Sequence, residues 1–356
     1  MIRASIIATG SYIPENIIGN ESFLSTQFYD KNGGKLYQSN KSIVDKFVSI
    51  TGIRERRYAK PKQNTSDLAY LAAADAISSA GIDKETLDYI IVAHNFGDVS
   101  FETNRTSQVP TLASRVKALL QILNPDCVAY DLPFGCPGWV EGLIQASYFI
   151  RSGDVKRCLV IGAETLSRIV DPHDRDSMIF SDGAGAAILE GTISGDVGVL
   201  AHTTQTHANG YINTLNMGSS SSPYINGKSN LYIKMEGRKV YEFALTHMPK
   251  VIDRALKKAG ITISEVSKIL VHQANEKMDY AILKRLFSLY GLLNIPENIM
   301  PMTINHLGNS SVATVPTLLD LMLKGKLEGH EVKHGDIVVF SSVGAGMNVN
   351  AIVYRI

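Results

Sequence analysis

A chain of 356 residues, 45% hydrophobic and 19% charged, can bury a large core and hold two domains or two halves of one. Its formal net charge of +1 gives no global pull toward nucleic acid. Three Cys, an odd number without paired CxxC spacing, argue against a disulfide framework and a structural zinc site, so no metal is expected and the thiols read as reduced. The start of the chain runs directly into a strand pattern with no signal-like segment, and no later apolar stretch has membrane-spanning length. The expectation is a cytoplasmic protein, neither secreted nor inserted in a membrane.

In chain order, the strand pattern at Ile2–Gly10 is followed by a polar, turn-rich segment, Phe28 to Asn40, that reads as a surface insertion. A helical pattern through Ala76 leads to a buried strand at Tyr89–Ala93. An apolar run at Cys127–Leu132 breaks at Pro133-Phe-Gly-Cys-Pro-Gly138, and a helical pattern begins near Trp139. Cys158–Gly162 is a second buried strand, with Asp182–Leu189 beyond it. Gly191 to Gly198 is the expected junction between two halves, residues 1–190 and 191–356. Asn216 to Asn230, with four consecutive Ser, reads as a second insertion. The later part repeats helix, loop and strand through Val271, then carries His272 and the loop Gly308-Asn-Ser-Ser311. Alternating patterns of this kind specify α/β architecture.

Ala76-Ile-Ser-Ser-Ala-Gly-Ile82 followed by Leu87–Val92 recurs as Ala255-Leu-Lys-Lys-Ala-Gly-Ile261 followed by Val266–Val271, with the same internal spacing. The chain reads as a duplicated unit whose halves pack about a pseudo-two-fold axis. Asp182-Gly-Ala-Gly-Ala186 and Val343-Gly-Ala-Gly346 look like a second matching pair of Gly turns beside final strands. Neither carries the Lys or helix start that a phosphate loop needs.

Chemistry concentrates at the strand ends. Cys136 lies at a strand-to-helix turn, where the helix start favours thiolate over thiol and can steady an oxyanion. His272 ends a strand and Asn309 sits in a loop, and a Cys, a His and an Asn at three strand ends form a catalytic set. Cys127 and Cys158 fall in strand patterns and read as core residues, and His306 reads as structural.

Thr51-Gly-Ile-Arg-Glu-Arg-Arg57, the Cys136 turn, Ile161-Gly-Ala-Glu164, Asp182–Ala186, Met235-Glu-Gly-Arg-Lys-Val240, His272-Gln-Ala-Asn275 and Gly308–Ser311 together resemble the β-ketoacyl-acyl carrier protein synthase III family, from the first strand to the last. The resemblance implies the thiolase fold, a five-layer αβαβα sandwich with two five-stranded sheets, and a homodimer without a cofactor. It implies Cys136 as the acylated nucleophile, and His272 and Asn309 as donors to the oxygen of a decarboxylating malonyl thioester. A second oxyanion site is implied at the backbone N–H groups of Cys136 and of Ala345 in the Gly344-Ala-Gly346 turn.

The donor side departs from the family pattern. Members that take a coenzyme A primer resemble one another in a Trp six residues ahead of the Gly of the Thr-Gly-Ile-Arg motif; this chain has Lys46 there, and Ile50 where an Arg often precedes the Thr. Arg175 matches the other stacking residue, with Phe47 as a neighbouring aromatic. The primer therefore comes either from acyl-coenzyme A bound differently or from acyl-carrier protein. Lys277, Lys284 and Arg285, on the helix after His272, match the face that meets the acidic carrier protein. Val109 matches the position at which the partner subunit closes the acyl pocket, with Asp98 to Ser107 as extra residues before it.

The expected function is decarboxylative Claisen condensation of an acyl primer with malonyl-acyl carrier protein in fatty-acid synthesis. One alternative is a specialised condensing enzyme making a resorcinol- or pyrone-type product, and a more distant one an acyltransferase without condensation.

Overall fold

The computed structural model describes residues 2–193, 197–225 and 230–356. Residues 194–196 of the expected junction and 226–229 of the second expected insertion lie outside the described residues.

The first half is laid out as β1 (Arg3–Tyr12), α1 (Asn40–Thr51), α2 (Thr65–Ala80), β2 (Tyr89–Ala93), α3 (Leu112–Leu119), β3 (Val128–Leu132), α4 (Gly138–Ser152), β4 (Arg157–Thr165) and β5 (Asp182–Thr192). The second comprises β6 (Gly198–Thr206), α5 (Gly237–Ala259), β7 (Val266–Val271), α6 (Glu276–Ser288), α7 (Thr314–Leu323), β8 (Ile337–Gly344) and β9 (Asn348–Arg355). The first sheet has strand order β1-β5-β4-β2-β3, and β5 runs through Thr192, two residues past the expected division. The second has order β6-β9-β8-β7.

Strand alternation builds the layers. In β2, Ile90 and Val92 pack with α2 and α3, while Ile91 and Ala93 face α4. In β7, Ile269 and Val271 pack with α5 and α6, while Leu270 joins α4 and α7 in the shared middle. The result is α2 and α3, the first sheet, α4 and α7, the second sheet, then α5 and α6: the five-layer thiolase arrangement. The duplication holds in detail, because α2 and α5 both end on a left-handed glycine, Gly81 at φ 62° and Gly260 at φ 68°.

Two expectations need correction. Among the described residues the second sheet has four strands, not five. The fifth position beside β7 is taken by residues 298–300, which give one backbone bond, Ile269 N–H to Ile299 O. Pro296 and Pro301 flank that segment and lack the N–H a ladder requires. The two Gly-Ala-Gly motifs are also not equivalent: Gly183 and Gly185 lie inside β5, whereas Gly344–Gly346 forms the turn between β8 and β9. Phe28–Asn40 does lie largely at the surface, anchored where Phe28 is buried with Ile43, Val44 and Met178 and where Asn40 opens α1 while donating to the carbonyls of Leu24 and Thr26.

Gly185 shows what the middle layer demands. A Cβ there would lie 2.6 Å from the Thr317 backbone N and 2.7 Å from Pro316 Cβ. Gly185→Ala is expected to force α7 off the sheet and cost about 1–3 kcal/mol, read as a lower thermal midpoint. An unchanged midpoint would show that α7 can retreat freely.

Candidate active site

The turn after β3 places Cys136 ahead of α4, whose N-cap is Pro137. Gly135 takes φ 71°, and a Cβ on Gly344 would lie 2.7 Å from Cys136 N, so the β8–β9 turn is pressed against the nucleophile's backbone. Ala345 lines the same cavity as Cys136. Cys127 and Cys158 are buried in the core and all three thiols are free.

His272 follows β7, and its backbone N–H donates to Ser341 O at 2.9 Å. Gln273 next to it is fully buried; it donates to Pro301 O at 2.7 Å and accepts from Thr303 N–H at 2.9 Å, which fixes the strand end. Asn309 is pinned between its own N–H to Ile179 O, 3.0 Å, and Ser181 N–H to its carbonyl, 2.8 Å. Its side-chain Oδ1 accepts Ser311 N–H at 2.7 Å. With the oxygen so held, the amide N–H₂ is the end of Asn309 left to offer.

The centre of the constellation is Ser311. Its hydroxyl donates to Cys136 Sγ at 3.1 Å, and its backbone holds Asn309. Asn95 Nδ2 donates to Ser311 Oγ at 3.0 Å and also to Glu164 Oε1. Sequence reasoning named Cys136, His272 and Asn309 but gave Ser311, Asn95 and Glu164 no roles. The signal was the second Ser of Gly308–Ser311 and the Glu ending Ile161–Glu164.

Electrostatics at the nucleophile set burial against the helix start. Burial pushes the Cys136 thiol from 9 up to about 12, while the Ser311 hydroxyl and the residue's own N–H pull it back. The helix start offers at most about 2 kcal/mol, whereas a rise of that size represents roughly 4 kcal/mol. Burial thus opposes the pull of the helix start on the resting thiol. Burial likewise lowers His272 to about 4, against a bond to the Ser311 backbone that pulls the other way, which favours the neutral imidazole at physiological pH.

Two cavities of about 330 Å³ each border these residues, one lined by Asn309 and the other by Cys136 and Ser311. The first reaches Asn309 and Ala274 at its inner end and opens past Met178, Phe47, Lys46 and Arg175. Ile50 lines it too, so Lys46, Phe47, Ile50 and Arg175 do share one mouth, with Arg238 of α5 as a further cation. Arg56 buttresses this wall: its buried guanidinium donates to Met178 O at 2.9 Å and to Ile18 O at 3.0 Å. The second cavity holds Cys136 and Ser311 and is walled by Phe96, Leu166, Phe180, Met217 and Ile233.

The remaining candidates lie outside. Val109 is 88% exposed and does not line this chain's own cavity. Residues 98–107 fold as a hairpin whose Val99 packs on Leu166 and Phe180, behind the second cavity. Lys277 and Lys284 are exposed on α6, whereas Arg285, also exposed, donates to Leu245 O of α5 at 3.1 Å. His306 is at the surface beside Asn305 and takes no part in the constellation. Among the described residues no cluster of His, Cys, Asp and Glu could hold a metal, and no helix is long and apolar enough to cross a membrane.

Comparison with known proteins meets this geometry. Residues 130–210 match the family model for 3-oxoacyl-[acyl-carrier-protein] synthase III, and residues 256–356 match the model for its C-terminal part. The β-ketoacyl-[acyl-carrier-protein] synthase III of Rhizorhabdus wittichii is 34% identical, with 100% of each chain covered. The solved synthase III structure from Thermus thermophilus superposes with a TM-score of 0.81 at 30% identity, covering 99% of each chain. That from Pseudomonas aeruginosa PAO1 also gives 0.81, at 27% identity, covering 99% of this chain and 98% of the other. Full-length similarity at this level, joined to the layered fold and the Cys136 turn, shows that the chain belongs to the β-ketoacyl-acyl carrier protein synthase III family.

Proposed function

We propose that this condensing enzyme loads an acyl primer on Cys136 and joins it to malonyl-acyl carrier protein, with release of CO₂, at the start of fatty-acid synthesis. The observation that carries the reading is that Asn309, which lines one cavity, and Cys136, which lines another, are tied together by hydrogen bonds to Ser311. In the loading step the Cys136 sulfur attacks the primer thioester, its proton leaves with the departing thiol, and the acyl chain is held in the apolar cavity. Cys136 N–H and Ala345 N–H face the oxyanion of that step. In the second step malonyl loses CO₂, and its thioester oxygen gathers charge between the neutral His272 and the Asn309 amide. The new carbanion attacks the Cys136 thioester, a C–C bond replaces the C–S bond, and the sulfur is regenerated.

The pantetheine arm of each thioester fits the first cavity, with Arg175 and the cations Lys46 and Arg238 at its mouth for coenzyme A phosphates. Exposed Lys277 and Lys284 share α6 with Asn275 and Met278, which border that cavity, and so suit the acidic carrier protein. Arg285 belongs to the same basic face. The reading includes two related halves, residues 1–190 and 191–356, and a homodimer in which exposed Val109 reaches the partner's acyl cavity. Free thiols suit a reducing cytoplasm.

The test is intact mass after incubation with short- and long-chain acyl-coenzyme A and acyl-carrier thioesters, followed by malonyl-carrier protein. Short-chain loading on Cys136 with release of a β-ketoacyl product is expected. Loading only from carrier-bound or long chains, without malonyl turnover, would move the enzyme to a specialised condensation, the reading that the missing Trp and Arg of the adenine clamp favour.

A further inference from the structure

Ser311 has no part in the two steps as drawn, yet its hydroxyl proton has one available destination. Asn95 Nδ2 occupies the Ser311 oxygen at 3.0 Å, and Asn95 is itself held by Glu164 Oε1, which accepts both the Asn95 side chain and its backbone N–H, the latter at 2.9 Å. An oxygen that accepts from Asn95 turns its own O–H toward Cys136 Sγ, 3.1 Å away. Ser311 also sits at φ 54°, in the left-handed region that residues with a Cβ avoid, and strain of this sort collects at functional sites.

We propose that Ser311 is a catalytic residue of the loading step, donating a hydrogen bond to the Cys136 sulfur as it becomes thiolate, and that Asn95 and Glu164 are positioning residues that fix the direction of that bond. The inference rests on Cys136 being the acylated nucleophile. Ser311 keeps its proton throughout: the thiol proton leaves with the donor's thiol, the sulfur lone pair forms the new C–S bond, and the donor's C–S bond breaks. A bond from an O–H is stronger to a thiolate than to a thiol, so it lowers the barrier to attack.

The surrounding charges agree. An ionised Glu164 works against a thiolate, but burial raises the Glu164 carboxyl to about 8 against the pull of its two bonds from Asn95, which weakens that opposition near neutral pH. Asp182 is itself raised by burial, with Arg168 opposing, and burial favours the neutral form of His272. Ser311 is thus a side-chain donor that favours the anion without bringing a charge of its own, beside the backbone N–H of Cys136.

The experiment follows alkylation of Cys136 by iodoacetamide against pH, and acyl loading by intact mass, in the full-length protein, in Ser311→Ala, in Asn95→Ala and in the double variant. Ser311→Ala is expected to slow both reactions by about tenfold or more, the scale of a hydrogen bond to a charged group, and to move the alkylation profile to higher pH. It should lose more in loading than in condensation of preloaded protein. Asn95→Ala should shift the profile the same way by less, and the double variant should match Ser311→Ala, because the two act in series. Wild-type rates and an unshifted profile in Ser311→Ala would overturn the proposal, as would an additive double variant. Should Ser311→Ala fail to fold, Ser311→Gly, which suits the left-handed backbone, carries the same expectation. An adduct on a residue other than Cys136 in the wild-type protein would instead defeat the proposed function itself.

Discussion

Cys136→Ala will carry no covalent acyl group from any donor, and β-ketoacyl formation will fall by on the order of ten-thousandfold or more, as loss of a nucleophile does elsewhere. The physical reason is location as much as chemistry. Cys127 and Cys158 are buried in the first-half core and line neither of the two cavities, so neither is placed to take over. The substitution removes one sulfur at the edge of a cavity, and the fold should keep its thermal midpoint to within a few degrees. Intact mass of the variant after incubation with acyl-coenzyme A decides the matter: a persistent adduct would take Cys136 out of its role.

Asn309→Ala will separate the two half-reactions. Its amide lies at the end of the first cavity, where the malonyl thioester oxygen would sit, and its carbonyl is already engaged by Ser311 N–H. Loading of Cys136 should therefore proceed near the wild-type rate, while condensation slows by on the order of a hundredfold or more, the usual effect of removing one oxyanion donor. Single-turnover loading by mass, set against β-ketoacyl release, measures the two steps apart. Equal loss in both would make the Asn309 side chain a scaffold for the Ser311 backbone instead.

What could be read in the sequence was whatever is written locally. The apolar run into Pro133–Gly138 and the helix after it show as a change of period, and the structure reproduces them as β3 and α4. The helix-Gly-loop-strand repeat was legible because both copies need the same left-handed glycine. Similarity of short Gly-Ala-Gly strings misled, since glycines inside β5 serve close approach of α7, whereas Gly344 and Gly346 serve a turn. The Ser311 relay was invisible for a different reason. Its bonds join residues 69, 175 and 216 positions apart, a coincidence that no periodicity records.

The uneven second sheet bears on how copies of this chain can add to one another. In the first sheet β3 is an edge, with its outer backbone groups available to another strand. The matching edge of the second sheet is already occupied at Ile299, and Pro296 and Pro301 offer no N–H beside it. Two copies that join along β3 exhaust that edge in each other, as a two-fold contact must. The corresponding edge of the second sheet gives a third copy no ladder to extend, so growth by this route is self-limiting.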